Sequence, residues 1–97
     1  MKPPETIDGA IVIEWAWSGH IPFGVIKSAE SNEAPIEIYG LALCQYIDAN
    51  VTYRFSCNAK WETEQDFDYS SVEDAKANIP QQYRNVPIHW IKYVQNT

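Results

Sequence analysis

The chain has 97 residues, 45% of them hydrophobic, and a formal net charge of −6 from 13 acidic and 7 basic side chains. That length supplies one hydrophobic core. The charge argues against nucleic acid and anionic membrane surfaces, which need clustered Lys and Arg; here the five Lys and two Arg are scattered. Four Trp, six Tyr and three Phe stand out, because aromatic side chains bury large areas and are favoured at contact surfaces.

The opening segment, Met1-Lys2-Pro3-Pro4-Glu5-Thr6, carries no apolar h-region and no small-residue cleavage site. No run has the length of apolar residues that crosses a bilayer. The expectation is a cytoplasmic protein in which residues 1–8 form a flexible N-terminal tail and residues 9–97 a single α+β domain.

Gly9 precedes a predicted strand, Ala10–Trp17. Strict alternation places Ile11, Ile13, Trp15 and Trp17 on one face and Ala10, Val12, Glu14 and Ala16 on the other. Both faces are mostly apolar, which suits a strand covered on both sides. Ser18 to Pro22 reads as a turn, Phe23 to Ser28 as a short strand and Ala29 to Pro35 as a polar loop with Glu30, Ser31, Asn32 and Glu33.

Ile36–Ile47 forms the next predicted strand, joined to its successor through Asp48-Ala49-Asn50. A three-residue hairpin loop sets Leu43 near Phe55 and Ile47 near Val51; a two-residue loop at Ala49-Asn50 pairs the other face. Neither register puts Cys44 opposite Cys57, so both cysteines are expected to be reduced and buried.

The clearest pattern runs from Val51 to Trp61. Val51, Tyr53, Phe55, Cys57, Ala59 and Trp61 alternate with Thr52, Arg54, Ser56, Asn58, Lys60 and Glu62. The alternation predicts a long strand with a dry face and a wet face. An acidic run follows, Glu62, Glu64, Asp66 and Asp68, with Phe67 and Tyr69 expected to fold back onto the core. Ser70 and Glu73 have capping-box spacing, so a helix is predicted over 70–79, ended by Pro80. Residues 81–85 read as a connection, and Val86–Val94 as the last strand, with Pro87 near its entry.

Chemical motifs are sparse. Asp66, Asp68 and Ser70 resemble the opening of a calcium loop, but Ser71 stands where the bend needs Gly and Ala77 where a bidentate Glu is needed. The two Cys and two His lack zinc-ligand spacing. Cys57 and Cys44 lie in apolar runs, which disfavours a thiolate. Glu14 among apolar neighbours is either a carboxylate with a raised pKa or one that reaches a rim or pairs with Lys or Arg on a neighbouring strand, and the latter is the simpler reading. Trp15 and Trp17 fit a core or interface anchor better than a ligand platform, and Trp61 and Trp90 are expected against the helix.

These readings combine into an α+β fold: a single antiparallel sheet of four to five strands with one short helix on one face. A sandwich or a half-barrel plugged by the helix is the alternative. The function expected first is a non-catalytic protein-interaction or inhibitor module for a basic protein, acting as monomer or homodimer without cofactor or metal. Its candidate surface is Arg54, Asn58, Lys60, Glu62, Glu64, Asp66 and Asp68. The second is a small-ligand or enzymatic domain with a pocket between sheet and helix, using Glu14, Arg54 or His89.

Overall fold

A computed structural model describes residues 1–27 and 34–94. Residues 28–33, the end of the second predicted strand and most of the polar loop, lie outside the described residues. In chain order the strands are β1 (Thr6–Ile7), β2 (Ala10–Trp17), β3 (Gly24–Ile26), β4 (Ile36–Ile38), β5 (Gly40–Gln45), β6 (Thr52–Cys57) and β7 (Thr63–Tyr69). Helix α1 (Val72–Ala77), a 3₁₀ turn (Gln81–Tyr83) and strand β8 (Ile91–Lys92) complete the chain.

The architecture is mostly sheet with one short helix. Six antiparallel strands form a curled sheet in the order β1-β2-β5-β6-β7, with β8 beside β2. Strands β3 and β4 make a separate two-stranded ribbon. The main sheet therefore exceeds the four to five strands expected. Among the described residues no helix is long and apolar enough to cross a membrane.

A register shift between Val12 and Glu14 decides what each side of the sheet holds. One extra residue in a strand flips every later side chain to the other face. Val12 pairs with Cys44, Trp15 with Ala42 and Trp17 with Gly40. Ala10 and Val12 thus share a face with Trp15 and Trp17, and strict alternation across β2 fails. Glu14 and Ala16 pass to the opposite face.

The first face is an apolar cluster of Ala10, Val12, Ala42, Cys44, Phe55 and Cys57, closed by Trp61. Trp61 packs against Trp15 and Trp17 at 6.3 and 5.6 Å between ring centroids, on the side away from the helix. Strand β6 ends at Cys57 instead of running on to Trp61 because Asn58 captures the chain. Its Oδ1 accepts from the Lys60 and Glu62 backbone N–H groups at 2.9 and 3.1 Å, a local bond that competes with the sheet ladder.

Part of the segment expected as a tail, residues 1–8, meets this face. Thr6 and Ile7 pair with Ile11 and Ala10. Ile7 is buried, Val12 N donates to Glu5 O at 3.0 Å, and Trp61 Nε1 donates to Met1 O at 3.2 Å.

The second face is roofed by α1, the 3₁₀ turn and the β3–β4 ribbon. Its apolar part joins Ala16 and Leu41 to Phe23, Ile38, Ile79 and Tyr83. Helix α1 starts one residue later than the capping-box reading: Ser71 is the cap, and its Oγ accepts from Asp74 N at 3.0 Å. It stops at Ala77 because Pro80 biases Ile79 away from helical geometry. So short a helix is unstable alone; burial of Ala75 and Ile79 against the sheet holds it.

The β5–β6 hairpin takes neither expected register. Leu43 lies opposite Arg54 and Cys44 opposite Tyr53. A turn in which Ala49 N donates to Tyr46 O at 3.2 Å, with Asp48 at φ 69°, widens the connection to residues 46–51. The predicted 86–94 strand shrinks to Ile91–Lys92.

Gly24 lets the backbone of the ribbon approach the 3₁₀ turn closely. A Cβ there would stand 1.7 Å from the Gln82 carbonyl oxygen. Gly24→Ala should therefore cost about 3 kcal/mol, the range of an overpacked core, read as a lower urea midpoint with unchanged slope. An unchanged midpoint would contradict this packing.

Candidate functional site

The polar row of β6 faces inward. Thr52, Arg54 and Ser56 are buried on the side covered by the helix, so the expected wet face is in fact enclosed. The alternation itself holds, with Phe55 and Cys57 buried on the other side; both faces of the strand are covered.

Arg54 is 2% exposed. Its Nε donates to Ser56 Oγ at 3.2 Å and its Nη1 to Tyr69 Oη at 2.7 Å. The guanidinium carbon lies 5.9 Å from the Tyr69 ring centroid and 5.3 Å from that of Tyr83. Tyr69 Oη donates onward to Asn78 O at 3.4 Å, and the buried Tyr83 hydroxyl donates to Gln65 Oε1. Among the described residues the one ion pair is Lys76 with Glu14, so Arg54 has no carboxylate within salt-bridge distance. Its charge is balanced by hydroxyl dipoles and ring faces, each weaker than an ion.

Glu14 has the partner the ion-pair reading asked for, supplied by the helix instead of a neighbouring strand. Lys76 Nζ lies 2.7 Å from Glu14 Oε1 and 6.0 Å from the Trp90 ring centroid. The pair ties α1 to β2 with Glu14 only 7% exposed.

A groove with a cavity volume of about 600 Å³ opens between β7 and α1. Arg54 lines it, together with Gln65 to Tyr69 of β7, Asp74 in the first turn of α1, Asn78 at its C-terminal cap, Pro80 and Gln82. Five consecutive β7 residues line one groove. Successive strand side chains point to opposite faces, so the groove follows the strand's edge. By pairing, Gln65, Phe67 and Tyr69 lie on the side of Ser56, Arg54 and Thr52, and Asp66 and Asp68 on the side of Phe55 and Tyr53. The Asp74 carboxylate is already engaged by the Ser70 amide and hydroxyl at 3.2 and 3.1 Å and by Asn78 Nδ2 at 2.9 Å.

The predicted interaction surface divides. Asn58, Lys60 and Glu62 sit in the turn after β6, where Asn58 Nδ2 donates to Glu62 Oε1 at 2.9 Å and Glu64 Oε2 at 3.1 Å. Asp66 and Asp68 stand exposed on β7, and Phe67 is 57% exposed instead of folded onto the core. His89 is exposed and, like Glu14, is not among the groove residues. Tyr83 and Gln65, which complete the surroundings of Arg54, went unrecognised in the sequence. The signal for Tyr83 is a single aromatic among the polar residues of a supposed connection; Gln65 carries none.

Both cysteines are free and buried. Burial pushes the Cys44 thiol far above its ordinary value and Cys57 up to about 12, with the Thr63 hydroxyl working the other way on Cys57. Each is a protonated core side chain near neutrality, unsuited to nucleophilic attack. No family model, curated protein or solved structure matches the chain.

A raised native pKa means that the unfolded chain releases the proton first as pH rises. Stability should therefore be fully present below pH 9.0 and fall between 9.0 and about 12 through Cys57. Cys57→Ala should flatten that alkaline slope in urea titrations, and an identical slope in wild type and variant would refute the assignment.

Proposed function

We propose that this chain is a non-catalytic binding module that takes an anionic group of its ligand in the groove between β7 and α1, with Arg54 as the anchoring charge. The observation that carries this reading is the buried guanidinium lining the groove without a counter-ion among the described residues. An unpaired buried charge costs several kcal/mol, and a carboxylate or phosphate entering the groove removes that cost. A guanidinium suits the task because its planar fork binds such groups through two parallel hydrogen bonds.

The second reading, a basic protein partner on the acidic run, is favoured by one specific feature. Glu64, Asp66 and Asp68 belong to β7, which ends the sheet order and exposes its outer residues. Contacts of this kind weaken as salt rises. The two readings meet at one place, since Asp66 and Asp68 border the groove that Arg54 lines.

Thermal unfolding in sodium phosphate or acetate against sodium chloride of equal ionic strength tests the anchoring role. Wild type should gain stability from the oxyanions, about 1.4 kcal/mol at ten times Kd, and Arg54→Gln should abolish the gain. An equal gain in the variant, or none in wild type, would refute it.

A further inference from the structure

We infer that the ligand is the carboxyl end of an extended basic peptide, which adds a strand to the free edge of β7 and sets its terminal carboxylate on Arg54. This deepens the anion-binding reading and rests on it.

Three independent features converge. The first is the edge. Strand β7 pairs with β6 from Thr52–Tyr69 to Cys57–Thr63, and among the described residues no strand lies on its other side. An edge of this kind offers a row of open backbone donors and acceptors, which an extended peptide satisfies by continuing the ladder. The second is the shape of the groove. It follows β7 through Gln65, Asp66, Phe67, Asp68 and Tyr69. Five residues of strand span about 17 Å, which accommodates an extended peptide of similar length.

The third is the distribution of charge. A free phosphate or acetate in this groove meets the field of Asp66 and Asp68 as well as that of Arg54. A chain with alternating cationic side chains and a single terminal carboxylate meets both signs favourably. Its cations lie on the side of the strand that carries Asp66 and Asp68, and its terminus turns to the side that carries Arg54. Phe67, 57% exposed and 5.2 Å from the Tyr69 ring centroid, gives the peptide an apolar contact on the Arg54 side. A second copy of this chain fits poorly as the donor strand. Its net charge is −6, and like charges set opposite each other across a strand pair repel.

The test uses the full chain and an N-acetylated five-residue peptide of alternating lysine and valine in three forms: free carboxylate, C-terminal amide, and free carboxylate with its edge-facing backbone nitrogens methylated. Binding is read by calorimetry and by shifts of the backbone amides of residues 65–69. The free acid should bind with an affinity that falls as salt rises. Amidation and N-methylation should each weaken it about tenfold, equivalent to about 1.4 kcal/mol. Arg54→Gln should erase the difference between acid and amide. The exposed double change Asp66→Asn with Asp68→Asn, which spares the core, should weaken the peptide and leave the response to phosphate at least as strong as in wild type. Equal binding of acid and amide, or indifference to N-methylation, overturns the inference. If the free acid fails to bind while phosphate still protects wild type through Arg54, the peptide inference falls and the anion reading stands. If phosphate also fails, both fall.

Discussion

A guanidinium held under a helix with no ionic partner among the described residues constrains everything around it. Arg54 sits in the polar row of β6, and the roof over that row must supply oxygen atoms and ring faces. Ser56 and Tyr69 provide the oxygens; Tyr69 and Tyr83 provide the rings. Gln65 and Asn78 in turn accept from the two tyrosine hydroxyls and fix them in place. The network uses hydroxyl and amide dipoles only, so it satisfies hydrogen bonds without neutralising the charge. That residual charge, in a groove open at the sheet edge, is what the proposed binding role rests on.

The rest of the fold can be understood as the means of turning the polar face inward. The extra residue in β2 sends Glu14 to the helix side, where it meets Lys76. The same shift gathers Trp15 and Trp17 on the far side with Trp61, so that side becomes the drier of the two cores. The N-terminal strand and Trp61 seal it. Helix α1 is then free to cover polar side chains, because an apolar core already exists behind the sheet. The β3–β4 ribbon and the 3₁₀ turn add Phe23, Ile38 and Tyr83 to the helix side and complete its apolar part.

Strands β2 and β6 were legible because β geometry has a period of two and the sequence alternates over 10–17 and 52–57; β1 and β7, read as a tail and an acidic run, were not. The orientation of the faces was not. Alternation separates the polar from the apolar side of β6, but only the position of the helix decides whether the polar side meets water. The bulge left no mark in the sequence, since Val12, Ile13 and Glu14 read as ordinary alternation. Hairpin register failed for a similar reason: a short Asp-Ala-Asn turn and a wider connection over 46–51 use the same residues. Asn58 did carry a signal. An Asn inside a strand run is a standing competitor for backbone N–H groups, and it stopped β6 before Lys60. Of the candidate surface, the exposed character of Asp66 and Asp68 could be read directly. The role of Arg54 could not, because burial of a cation depends on Tyr69 and Tyr83, distant in the chain and brought in by the helix and the turn after it.

The most direct measurement of this arrangement is the Arg54 side chain itself by nitrogen-15 NMR. Enclosure between Tyr69 and Tyr83 predicts a resolved Nε proton that exchanges slowly with water, with through-space contacts to both rings. An Nε proton lost to rapid exchange, with no contact to either ring, would show Arg54 in solvent and would contradict the inward-facing polar strand on which the proposed binding role depends.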